Sequence, residues 1–219
     1  MGPVSAGDPA VPTGPRGAKD PGLASRDRIL VAAAEVARER GVTGATIAAV
    51  CKRSGLPVSS LYWYFTDKDA LFAEVVRSSF ARWLAEAPGW SAQEGDVLDH
   101  VGQILRASEE TLRRRPSFLN IGMQVLLESG EDTRQTRQAY LDVRAQALTM
   151  LTVWLERALA PVGDPQLTTD IAVLFRALSD GLVVAGEAFD DFAAAEIIDL
   201  FVPMVQAVIR EAIESGARP

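Results

Sequence analysis

From Ser25 to the end of the chain, apolar residues return every three or four positions, and glycine and proline supply the interruptions. The breaks fall at Gly41, at Gly55-Leu56-Pro57, at Pro88-Gly89, at Pro116, at Gly130 and at Pro161. No stretch alternates apolar and polar residues over the length of a strand. A chain patterned this way buries its apolar side chains along helical stripes, so the expected fold is all-α, with about nine helices.

Local signals sharpen the boundaries. In SRDRILVAAAEVARERG, Ser25 suits the N-cap and Gly41 the terminator. Thr46 suits the cap of TIAAVCKRS, which Gly55 ends, and a second short helix spans Pro57 to Phe65. Asp67 then caps a longer helix whose Leu71, Phe72, Val75, Val76, Phe80 and Trp83 share one stripe, with Pro88-Gly89 as its stop. Further helical segments cover 94–115, 117–129, 132–160, 165–188 and 192–215. Asp164-Pro165 is a cap followed by a first-turn proline, and Pro203 is expected to kink or split the last segment. The run FLNIGMQVLL is apolar nearly all round, which predicts a deeply buried helix. Residues 1–24, rich in Pro, Gly and Ala, read as a disordered tail. Residues 25–70 then form a small domain and residues 71–219 a larger helical one.

The net charge of −7 argues against non-specific coating of nucleic acid, but the charge is unevenly spread. Residues 25–68 carry seven Lys/Arg and four Asp/Glu, whereas residues 69–219 carry thirteen and twenty-three. A basic segment on an acidic body suits a protein that meets a polyanion at one end. No apolar run approaches the ~18–20 residues of a membrane span, so a cytoplasmic location and no membrane partner are expected. With one histidine, His100, and one cysteine, Cys51, there is little material for catalysis or metal binding. The chain is expected to use no cofactor and not to be an enzyme. Cys51 reads as a packed thiol.

Two short helices joined by a glycine-containing turn, with a helix before them, form a helix-turn-helix plan. Leu61 and Phe65 lie four residues apart on one face, suited to pack on Ile47, Val50 and Cys51. Ser59, Ser60, Trp63 and Tyr64 take the other face, where hydroxyls and flat rings suit phosphate oxygens and groove edges. The segment RILVAAAEVARERGVTGATIAAVCKRSGLPVSSLYWYFTDKDALFAEVV resembles the N-terminal domain of the tetracycline-repressor (TetR) family of bacterial regulators. The resemblance covers about residues 26–76 and includes LYWYF followed by Lys68-x-x-Leu71; Asp180-Gly181-Leu182 also resembles the family. It implies phosphate contacts from Thr46, Ser60, Tyr62, Tyr64 and Lys68, and groove contacts from Val58, Ser59 and Trp63. Pro57 and Val58 stand where many relatives have Ser and a long polar residue, which shifts base readout toward Arg53, Trp63, methyl contacts and DNA shape.

The family further implies a dimer and an inducer pocket. The pocket candidates are His100, Ile104, Phe118, Met123, Tyr140, Trp154 and Phe175. The dimer candidates, on the last two long segments, are Leu174, Leu178, Gly181, Leu182, Phe201, Met204 and Val208, with Gly181 allowing helices to approach. The function expected is a ligand-responsive transcriptional regulator, usually a repressor. As a homodimer it would bind a palindromic double-stranded DNA operator, in the nucleoid when bound, and be released by a small, largely apolar effector. The alternatives are a helical small-molecule enzyme, or a sensor that acts through a protein partner without binding DNA.

Overall fold

The structure, a computed structural model, describes residues 21–86, 98–99, 101–103, 106, 116–128, 130–160, 163–188 and 194–216. Every regular segment among them is helical. The elements are α1 (Pro21–Gly44), α2 (Ile47–Ser54), α3 (Val58–Tyr64), α4 (Lys68–Glu86), α5 (Ser117–Leu127), α6 (Arg134–Ala158), α7 (Pro165–Ala188) and α8 (Ala194–Gly216), with a 3-10 turn at Glu131–Thr133. The described residues from 98 to 106 are helical as well.

Caps account for several of these starts. Thr46 Oγ1 accepts from Ala49 N at 3.2 Å, Asp67 Oδ1 from Ala70 N at 2.7 Å, and Asp164 Oδ1 from Gln166 N and Leu167 N at 3.0 and 3.1 Å. Each occupies donors that a helix start leaves open. Ser25 does not cap α1, which already begins at Pro21; a proline's fixed φ suits a first helical turn. Gly41 does break α1, at φ 71° and ψ 166°.

Two apolar cores organise the chain. The first gathers Ile29, Val36, Val50, Leu61, Leu71, Phe72, Val76, Ile121, Val125 and Tyr140, so α1 to α6 share one interior. It runs across the boundary drawn between residues 70 and 71, because α4 packs on α1 as well as on α5 and α6. The second core joins α6, α7 and α8 through Leu151, Trp154, Ile171, Leu182, Ile198, Val202 and Ile209.

Two expectations change here. α5 is not buried all round: Phe118, Ile121, Gly122 and Val125 face inward, whereas Leu127 is 79% exposed. Leu119, Met123 and Leu126 are half-buried against the first core, so the exposure is confined to the C-terminal end of the helix. Pro203 does not divide α8, which is a single helix from Ala194 to Gly216. Proline removes the bond to the carbonyl of Asp199, but both residues are exposed, where water can satisfy that oxygen.

Candidate nucleic-acid interface

The reading head is built from α1 to α3 and the first turn of α4. α2 ends at Gly55, in the left-handed region at φ 68°, whose N–H donates to Cys51 O at 3.0 Å. A side chain at that φ would be strained, so glycine sets the turn between the two short helices. Pro57 then occupies the N-cap position of α3 in extended geometry. Leu61 and Phe65 are buried with Val50 and Cys51, and Ile47 packs against them, as their spacing predicted. The Arg26 guanidinium lies over the Phe65 ring at 5.7 Å. The Cys51 thiol, pushed up in pKa by burial, is a packed core group.

With Leu61 turned inward, the outer face of α3 is fixed. Val58, Ser59, Tyr62 and Trp63 are exposed, Trp63 by 83%, and Ser60 is half-buried. An indole held outward on a seven-residue helix is poorly suited to a solvated surface and well suited to a groove. Thr46 is exposed at the start of α2; its oxygen accepts from Ala49 N, which leaves the hydroxyl proton to donate.

Arg53, Tyr64 and Lys68 stand differently. Arg53 pairs with Glu39 through bonds of 2.7 and 2.9 Å and with Glu35 at 3.1 Å, tying α2 to α1. The hydrogen bonds to Glu39 and then Glu35 hold its pKa above the usual guanidinium value, and the same pairing lowers that of Glu39. In this arrangement Arg53 is not a free base-reading group, because its fork is filled by carboxylates of its own chain. Tyr64 is half-buried and donates its hydroxyl to Gly22 O at 3.0 Å. Lys68 Nζ donates to Thr43 O at 2.9 Å; burial depresses its pKa against the pull of Asp132 and Glu128.

The pocket candidates divide between the two cores. Phe118, Tyr140 and Met123 belong to or pack on the first core, and Trp154 and Phe175 on the second. His100 and Ile104 lie outside the described residues. Phe118 meets Phe80 edge-on at 5.4 Å and Trp83 at 5.8 Å, and Phe80 stacks on Trp83 at 5.4 Å. Among the described residues, the buried Trp83 Nε1 has no hydrogen-bond partner. Its place in the α4 stripe marked Trp83 as core, and only the structure reveals the unmet donor. Of the dimer candidates, Leu174, Met204 and Val208 are exposed, Leu178 and Phe201 pack on the second core, and Leu182 is buried within it. Gly181 is open within the chain, where a Cβ would meet nothing within 4 Å among the described residues.

A short buried-anchor helix after a glycine turn, presenting aromatic and hydroxyl side chains outward, defines a helix-turn-helix protein. Residues 29–75 match the sequence profile of the bacterial regulatory proteins, tetR family. The similarity to that family is one of this N-terminal domain. The uncharacterized HTH-type transcriptional regulator YdgC of Bacillus subtilis (strain 168) is 38% identical over 64 residues, 29% of this chain and 33% of that protein. The match thus spans about a third of that relative's length. Solved structures share the fold over nearly their whole length. Escherichia coli NemR in its reduced form aligns at TM-score 0.67 and 19% identity, over 83% of this chain and 97% of that one. A transcriptional regulator of Rhodococcus sp. Rha1 aligns at TM-score 0.65 and 22% identity, over 85% and 96%. The fatty acid degradation regulator FadR of Bacillus halodurans aligns at TM-score 0.65 and 15% identity, over 87% and 97%. At these identities the likeness is one of fold. No helix among the described residues is long and apolar enough to cross a membrane.

Proposed function

We propose that this chain is a dimeric, ligand-responsive transcriptional repressor that acts in the cytoplasm on a palindromic DNA operator. The observation that carries the reading is the outward face of α3: Val58, Ser59, Tyr62 and Trp63 exposed above a buried Leu61. In a symmetric dimer, two such helices would enter successive major grooves, with Thr46, Ser60 and Tyr62 on the flanking phosphates. Tyr64 and Lys68 would join them by exchanging their bonds to Gly22 and Thr43 for phosphate oxygens.

Release would follow from a small, mostly apolar molecule that prefers a conformation with the two heads wrongly spaced; equal affinity for both states would shift nothing. The aromatic group Phe80, Trp83 and Phe118 supports an apolar effector, and the unmet Trp83 N–H favours one that brings a hydrogen-bond acceptor.

The test is an electrophoretic shift with DNA from upstream of the chain's own gene. Trp63→Ala is expected to weaken binding by about 1–3 kcal/mol, the scale of a lost base contact. Its thermal stability should stay within about 0.5 kcal/mol of wild type, because the indole covers little of the core. Wild-type affinity in that variant would remove α3 from the interface.

A further inference from the structure

Helix α6 does not cap itself. Thr133, at its N-cap position, makes no side-chain bond to the helix start; its hydroxyl donates to Gly130 O at 3.3 Å. The open N–H groups of Gln135 and Thr136 are taken instead by Asp69 of α4, at 2.7 Å to Oδ2 and 2.9 Å to Oδ1. The Thr136 hydroxyl lies 2.6 Å from Asp69 Oδ1 and 3.2 Å from the Asp69 carbonyl oxygen. A cap that most helices draw from the adjacent residue is here supplied across 66 and 67 positions of sequence.

The neighbour of that carboxylate faces the other way. Lys68 Nζ holds the Thr43 carbonyl at the end of α1, so consecutive residues in the first turn of α4 grip the reading head and the body. At the same junction, Gln124 Oε1 accepts from Val42 N at 2.9 Å, and the Thr43 hydroxyl lies 2.5 Å from Glu128. Residues 42–43 lead directly to Thr46 and α2. Along α6 the stripe continues at four-residue steps. Tyr140 fills the space beside Gly122 of α5, and Arg144 makes a two-pronged pair with Asp180 of α7 at 2.5 and 2.6 Å. α7 also carries Leu174, on the apolar face offered to a second copy.

We propose that Asp69 is a positioning residue for DNA recognition: by capping α6 from α4 it fixes the angle of the reading head on the body, and so the half-site spacing that a dimer accepts. The inference rests on the dimeric DNA-binding reading above. Asp69 touches no DNA. Its removal should leave the head's own fold and contacts in place while freeing its orientation, since the buried anchors Leu61, Phe65 and Val50 lie elsewhere. Thr136→Val tests the same contact more gently, deleting the hydroxyl's bond to Asp69 and keeping the backbone donors.

The experiment uses full-length protein and a palindrome selected by wild type from random-sequence duplex DNA. Affinity is measured for that palindrome, for the same half-sites moved apart by two base pairs, and for a single half-site, with circular dichroism melts alongside. Asp69→Ala and Thr136→Val are expected to flatten the ratio between preferred and altered spacing by about fivefold or more, within the usual range of coupling between linked sites. Single half-site affinity should hold within about twofold, and Thr136→Ser, which keeps the hydroxyl, should retain the wild-type profile. Two results overturn the proposal: an unchanged spacing profile in both valine and alanine variants, or equal losses on half-site and palindrome. If Asp69→Ala does not fold, Thr136→Val carries the comparison. Wild-type protein that selects no palindrome at all would instead overturn the dimeric reading beneath it.

Discussion

Tyr140 is fully buried, and its ring sits so close to Gly122 that a Cβ there would lie 2.1 Å from Cδ2. Nothing about Gly122 in the sequence signals this, since it falls inside an apolar run without a turn. Gly122→Ala must push the ring off its place between α5 and α6, and Tyr140 is also held at its hydroxyl by Arg144 at 3.1 Å. We expect a loss of about 1–3 kcal/mol, the cost of overpacking a filled core, read as a lower midpoint in urea with unchanged slope. Residues whose partners are close in sequence were readable in advance: Thr46, Asp67 and Asp164 cap the helix just ahead of them. Asp69 was not, because its partner helix begins some 65 positions further on. Trp63 and Ser59 were legible as outward groups because Leu61 and Phe65 fix the helical phase, whereas Tyr64, placed on the same face, is half-buried. That Arg53 is occupied was not legible, since Glu35 and Glu39 reach it only once α1 has packed on α2.

At the level of elements, α2 is strapped to α1 by the pairing of Arg53 with Glu35 and Glu39, all of it at the surface. Ion pairs so exposed add little to stability, so their interest lies in what they withhold. Replacing both acids, Glu35→Gln with Glu39→Gln, should leave the melting behaviour almost unchanged and set Arg53 free toward phosphate. DNA binding should then tighten, and the slope of log affinity against log salt should steepen by about 0.9 for each Arg53, about 1.8 for a dimer on its palindrome. An unchanged slope in a titration from low to moderate salt would mean that Arg53 faces away from the duplex. Helix boundaries themselves followed glycine, proline and capping residues, because these act within a turn of where they stand. The exceptions have local causes of another kind. α1 reaches back to Pro21, α5 emerges at its C-terminal Leu127, and α8 continues through Pro203, where Asp199 and Pro203 are both exposed.

For the whole molecule, the open question is what covers the apolar side chains that α7 and α8 leave outside. Leu174 is 56% exposed, Met204 66%, Leu200 67%, and Val173, Val184 and Val208 are exposed beside them. Sequence could mark both helices as having more apolar faces than one core needs. It could not say which residues went inward, because Leu174 and Leu182 share one apolar stripe on α7 until packing against α6 and α8 decides. Leu182 went into the second core; Leu174 and Met204 did not. If the outer face is the contact between two copies, Leu174→Glu with Met204→Glu removes two apolar side chains per protomer and sets carboxylates against each other. Counting ~1 kcal/mol for each half-exposed side chain, four in a dimer, the dissociation constant should rise by about three orders of magnitude or more. Sedimentation velocity at micromolar concentration should then show a monomer with an intact helical spectrum, because neither residue belongs to the second core. The same variant should still bind a single half-site while losing the gain that a palindrome gives wild type, since joining two heads multiplies affinity without any new contact. A variant that remains dimeric would place the partner surface elsewhere and leave this face to be covered by something other than a second copy.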